Sequence, residues 1–237
     1  MFKSRHAFSA LVLVGAALFG FGTSVLADGS YRRGLKDYEP APFSWTGLYV
    51  GVDVGVRHLN ADVDLPALAL SDASPSPTDW GVGGHIGYRK QFDRLVVGIE
   101  ADYMRFTGDD ESAQLTGFPG AFWRVHSDWA ASIRGSLGYA MGRSLVYVTS
   151  GVAFTEIEGC GTFGAACAAG TQFSGRHTGW TVGAGAAYAL TNQISARIEY
   201  FFTDFGAENY TTPGSVGGVT RVDLESHTAR LGLSYRF

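Results

Sequence analysis

Thr228-Ala-Arg-Leu-Gly-Leu-Ser-Tyr-Arg-Phe237 alternates without a break. Ala229, Leu231, Leu233, Tyr235 and Phe237 share one parity; Thr228, Arg230, Gly232, Ser234 and Arg236 share the other. Successive side chains of a strand point to opposite faces, so this stretch is a strand with one oily and one polar face. The rest of the chain has to say which solvent the oily face meets.

The pattern recurs seven more times. Leu48, Val50, Val52, Val54 and Val56 oppose Tyr49, Gly51, Asp53, Gly55 and Arg57. Trp80–Tyr88, Val97–Tyr103, Trp129–Tyr139, Trp180–Tyr188 and Ile194–Phe202 alternate in the same way, and Leu145–Thr155 does so less cleanly. Short links at Gln91–Arg94, Ala140–Ser144 and Leu190–Gln193 take turns with long ones at 60–79, 106–124, 156–176 and 206–221. All seven prolines fall outside the strands, as residues that cannot donate to a ladder should. The fold class is all-β: an eight-stranded antiparallel up-and-down transmembrane β-barrel, with both ends on the short-turn side.

Aromatic spacing argues for lipid over water outside the barrel. Trp80 and Tyr88 are eight apart, Trp129 and Tyr139 ten, and Trp180 and Tyr188 eight, always on the oily parity. At about 3.3 Å per residue and about 40° of tilt, each pair spans roughly 20–25 Å of height, the distance between the aromatic girdles of a membrane barrel. Tyr235 and Phe237 complete the short-turn girdle. A soluble barrel would carry its large apolar residues inside instead.

The other parity carries Asp53, Arg57, His85, Arg89, Glu100, Asp102, Asp128, Arg134, Arg197, Glu199, Arg230 and Arg236. Eight strands enclose a lumen that side chains can fill, and charges taken from water need partners. The expectation is one lumenal charge network centred on Glu100, Arg134, Arg197, Glu199 and Arg230, with some water-filled space beside the inward glycines.

The amino terminus reads as a cleaved signal peptide, 1–27. Lys3 and Arg5 precede an uncharged run, Ala10–Gly22, and small residues sit at Val25 and Ala27. A polar periplasmic linker, 28–44, and the barrel, 45–237, follow. Losing the signal leaves 16 basic against 22 acidic residues, a formal charge of −6, which excludes a general nucleic-acid-binding face. Cys160 and Cys167 are the two cysteines, and export makes a disulfide between them the default over a metal site.

No motif asks for a cofactor or a metal. His126-Ser127-Asp128 and Glu225-Ser226-His227 group catalytic residue types, but neighbours on a strand face opposite ways, so neither run makes a triad by itself. Asp109-Asp110 reads as a solvated loop pair.

Trp45-Thr-Gly-Leu-Tyr-Val-Gly-Val52 and Leu231-Gly-Leu-Ser-Tyr-Arg-Phe237 together resemble the entry and ending of the small outer-membrane β-barrel family of surface antigens. These are the opacity-like or outer-membrane immunogenic proteins, similar to the OmpA transmembrane domain. The resemblance covers roughly 43–237. It implies residence in the outer membrane, four surface loops, no catalytic residues, and reading of the terminal strand by the barrel-assembly machinery. The expected role is structural, with the lumen plugged by charge. The expected partners are outer-membrane lipid and lipopolysaccharide, with host or phage contacts through the loops. A narrow ion-conducting channel and a lipid-active barrel enzyme are the alternatives.

Overall fold

The computed structural model describes the backbone of residues 43–65, 70–73, 78–107, 112–114, 121–163, 172–211 and 219–237. Side chains are described for 43–60, 78–107, 127–158, 174–207 and 223–237. The expected signal peptide, most of the expected linker, Cys167 and the side chain of Cys160 lie outside these.

Eight long strands form the wall: β1 Gly47–Leu65, β3 Thr78–Phe92, β4 Leu95–Thr107, β7 Trp129–Met141, β8 Ser144–Phe163, β9 Gln172–Ala189, β10 Ile194–Thr211 and β11 Val219–Arg236. Each pairs antiparallel with its neighbour in sequence order, and β1 pairs with β11 to close the ring. Three short strands, β2 Leu70–Ala73, β5 Ser112–Gln114 and β6 Ala121–His126, belong to the long connections.

The stagger follows from the register. Stepping round the ring through paired residues leads from Leu48 to Tyr88, Ile99, Gly135, Ser150, Val182, Phe202, His227 and back to β1 at His58. The return is ten residues further along β1. About 33 Å of stagger over eight strand spacings of about 4.8 Å gives a tilt of about 40°, inside the range for closed barrels.

Alternation decides what each strand buries. Val52, Ile99, Ile198 and Leu231 face outward, more than half exposed, while Asp53, Glu100, Glu199 and Arg230 face inward and are buried. A belt of large apolar residues runs round the outside, an area far beyond what a water-facing surface carries.

The lumen is tiered. Trp45, Val96, Ala140, Leu145, Tyr147, Ala187 and Ala189 pack at the short-turn end, with Phe43 against them. Leu59, Ala153, Ile157, Phe205 and Leu224 pack towards the long-connection end. The charged residues lie between.

Two expectations about extent change. The long links at 60–79, 106–124, 156–176 and 206–221 are not simple loops, because the strands run on into them. The β1–β11 ladder continues to Asp64↔Arg221, β10–β11 to Thr211↔Val219, and β8–β9 to Cys160↔Gln172. Leaving lipid does not end a ladder, since paired strands keep their backbone partners in water too. The inward glycines also leave less space than expected. Gly87, Gly81, Gly185 and Gly183 sit directly opposite Tyr49 (one strand away), Phe106, Tyr147 and Phe201, whose rings lie over them.

Candidate functional site

Glu100 is the hub of the central tier. It accepts from Arg134 Nη2 at 2.7 Å, Arg197 Nη1 at 2.5 Å and the Tyr49 hydroxyl at 2.9 Å, with Arg230 at 3.4 Å and Arg89 at 3.9 Å. Glu199 accepts from Arg230 Nε and the Tyr147 hydroxyl, each at 2.7 Å. Asp102 takes Arg230 at 2.8 Å, Arg134 at 3.0 Å and the Ser132 hydroxyl. Four carboxylates (Asp53, Glu100, Asp102, Glu199) therefore face four guanidiniums (Arg89, Arg134, Arg197, Arg230). Equal numbers and shared hydrogen bonds offset the cost of taking each ion out of water.

Aromatic faces fill the remaining gaps. The Arg89 guanidinium lies 4.4 Å from the Tyr49 ring centre and 5.2 Å from that of Tyr147. Arg134 and Arg230 both lie over Phe201, at 4.2 and 4.4 Å.

His85 joins the tier to the last strand. Its Nδ1 is 2.7 Å from Asp53 Oδ2, and its Nε2 is 2.8 Å from Ser234 Oγ. Arg197 holds Asp53 from the other side at 2.9 Å. With Nδ1 protonated, the ring donates to Asp53 and Nε2 accepts from Ser234. The order Asp–His–Ser is that of an acyl-transfer triad. All three side chains are buried, however, and none lines either lumenal cavity described below.

Twelve charged residues were expected in one network, and the structure divides them. Asp53, His85, Arg89, Glu100, Asp102, Arg134, Arg197, Glu199 and Arg230 meet in the central tier. Arg57 does not: it forms a separate node nearer the long connections, with Asp79 at 2.9 Å, the Ser127 carbonyl at 2.8 Å and the Phe106 ring at 3.8 Å. Asp128 is half-buried there and acts on Arg57. Arg236 also falls outside the network. It sits at the last pair of the ladder, donates to the Asn192 carbonyl at 2.5 Å and lies 4.7 Å over Phe43. Parity gave each residue its face; depth along the strand separated the three groups.

Sequence reading missed Asp79, Ser234 and the hydroxyls of Tyr49 and Tyr147 as partners. Asp79 precedes outward Trp80, so its inward parity was available. The tyrosines sit on the polar parity, and it is their hydroxyls that reach the carboxylates.

Ser226 is buried inside, whereas Glu225 is exposed and His227 faces outward against Tyr200 (Tyr200 Oη to His227 Nδ1, 2.7 Å). Ser127 is buried against Arg57 and Thr155. The His126 side chain and Asp109-Asp110 lie outside the described residues. Among the described residues no cluster of three or more metal-ligating side chains occurs.

Outside, Trp80, Tyr88, Tyr139, Trp180, Tyr188, Tyr235 and Phe237 are exposed on the belt, and Trp129 is half-covered by stacking on Tyr103 at 6.0 Å. Among the described residues, two small cavities lie inside and share no lining residue. One of about 50 Å³ lies above the central tier, bounded by Asp102, Arg134, Arg230, Phe201, Thr203 and Arg57 among others. One of about 10 Å³ lies at the short-turn mouth beside Trp45, Tyr49 and Arg89.

The profile of a family described as "Outer membrane protein beta-barrel domain" matches residues 37–237. The chain belongs to the outer-membrane β-barrel family. Within it, the chain is 33% identical over 207 residues to the 31 kDa outer-membrane immunogenic protein of Brucella melitensis biotype 1, covering 82% of this chain and 85% of that one. It is 28% identical over 233 residues to the 25 kDa outer-membrane immunogenic protein of Brucella abortus biovar 1, covering 96% and 97%. Among solved structures, OprG from Pseudomonas aeruginosa superposes with a TM-score of 0.51 at 15% identity, over 81% of this chain and 96% of that chain, a likeness of fold. The outward apolar belt is therefore lipid-facing, and the protein is an outer-membrane barrel.

Proposed function

We propose that this outer-membrane barrel is a structural and surface-display protein whose lumen does not conduct. The observation that carries the reading is the balanced ion tier held between two apolar tiers. Ions entering from either end would have to break the contacts of Glu100, Arg197 and Arg230, and the two cavities among the described residues are small and share no lining residue. Planar-bilayer recording of the purified protein tests this. The expected trace is flat at moderate voltage; reproducible single-channel steps would establish the narrow-channel alternative instead.

The long connections are then the outside face, open to host or phage contact, and the short turns face the periplasm. The immunogenic relatives support a surface position for such connections. The barrel rests in outer-membrane lipid and lipopolysaccharide, and its terminal strand is the segment the assembly machinery would read. The protein is not an enzyme in this reading, because Ser234 and His85 are buried and line neither of the cavities found among the described residues. Mass spectrometry of lipopolysaccharide or phospholipid after incubation should find no altered product. A Cys160–Cys167 disulfide would close the third connection; folded, non-reduced protein should then resist thiol labelling.

A further inference from the structure

Arg105 faces outward from β4, level with the tryptophan girdle. Its register partners are Val82 on one side and Trp129 on the other, with Thr107 paired to Trp80 just beyond it. It is exposed, yet among the described residues no carboxylate lies within ion-pair distance and no ring lies beneath its guanidinium; Trp129 stacks on Tyr103 instead. The other arginines with described side chains are placed differently. Arg57, Arg89, Arg134, Arg197 and Arg230 are buried with acids, and Arg94, Arg143 and Arg236 bind protein groups at the short-turn end. Arg176 stands further out along its strand, opposite Glu156.

A guanidinium at the edge of the lipid belt favours a counter-charge, and among the described residues none supplies one. Indoles fix this height as the boundary between acyl chains and headgroups. A planar fork of donors fits a phosphate bidentately. We propose that Arg105 is a lipid-phosphate site of the outer leaflet, taking a phosphate of the lipid A part of lipopolysaccharide. The proposal rests on the long connections facing outward, as argued above.

The test compares wild-type protein, Arg105→Gln, Arg105→Lys and the distant Arg94→Gln in phosphatidylcholine nanodiscs doped with lipopolysaccharide, counting retained lipopolysaccharide by native mass spectrometry. Arg105→Gln should retain about tenfold less, Arg105→Lys should lose less than that, and Arg94→Gln should match wild type. Dephosphorylated lipopolysaccharide should bind wild type as weakly as intact lipopolysaccharide binds Arg105→Gln. Unchanged retention by Arg105→Gln overturns the site. Displacement by inorganic phosphate would overturn the lipid assignment in favour of a free-anion site. Heat-modifiable migration on gels checks that each variant is folded. The nanodisc presents lipid at both ends, so a wrong orientation in cells would leave this result standing.

Discussion

Glu100 concentrates the risk carried by the lumen. It alone touches Arg89, Arg134, Arg197, Arg230 and Tyr49, so removing its charge leaves several buried guanidiniums short of a partner. Breaking a buried pair from one side costs about 3–5 kcal/mol, much more than a surface bridge. Glu100→Ala should therefore lower stability by about that amount in urea unfolding followed through gel migration of the folded form. Ser234→Ala should cost less, about 1–3 kcal/mol, because it removes one partner of His85 and leaves Asp53 in place. Equal losses for the two would mean that Glu100 is not the hub. The inward parity of Glu100 was legible in the sequence. Its rank among the twelve charged residues was not, since rank depends on which strand tips bring Arg197 and Arg230 to the same depth.

At the scale of elements, strand parity was the strongest signal and strand ends the weakest. Val52 against Asp53 and Leu231 against Arg230 could be read directly, because one residue of slip would turn every such pair inside out. Length could not be read the same way. β8 has 20 residues, roughly 50 Å of height at about 40° of tilt, against a lipid band of about 25 Å. Its outer part stands clear of the bilayer, where neither composition nor alternation marks a boundary. Arg236 failed for the same reason at the other end: its parity is inward, but the lumen has already opened there. The glycines follow a cross-strand rule that single-strand reading could not see. A Cβ at Gly87 would come within 2.4 Å of the Tyr49 hydroxyl oxygen, and Tyr49 is itself held to Glu100. Gly87→Val should therefore displace Tyr49 and slow folding or lower urea resistance by about 1–3 kcal/mol. Gly142→Ala, with nothing near its Cβ but a φ of 61° in the hairpin loop, should cost about 1 kcal/mol through backbone strain alone. If Gly87→Val folds with wild-type urea resistance, the ring–glycine pairing is not a packing constraint.

The whole molecule is asymmetric along its axis, and that asymmetry makes its orientation testable. An even number of antiparallel strands brings both ends of the ring, Gly47 and Arg236, to the short-turn side. The short turns there are compact: Asp93-Arg94 and Gly142-Arg143 are two-residue hairpin loops whose first residue has positive φ, 52° and 61°. The four long connections, 60–79, 106–124, 156–176 and 206–221, all gather at the opposite end. They hold ten acidic residues against three basic ones, a charge that cannot enter the bilayer. Membrane barrels keep short turns on the periplasmic side and longer connections on the extracellular side, so the acidic end should face the outside of the cell. A short epitope inserted within 164–171 should be stained by antibody on intact cells. The same epitope between Gly142 and Arg143 should be stained only after the outer membrane is permeabilised. Staining in the reverse order would invert the barrel and remove the surface-display role, while leaving the closed ring and its ion tier untouched. Staining of both sites on intact cells with periplasmic markers still protected would mean that the short-turn end also reaches the surface, which the girdle heights of Trp80 and Tyr88 do not allow.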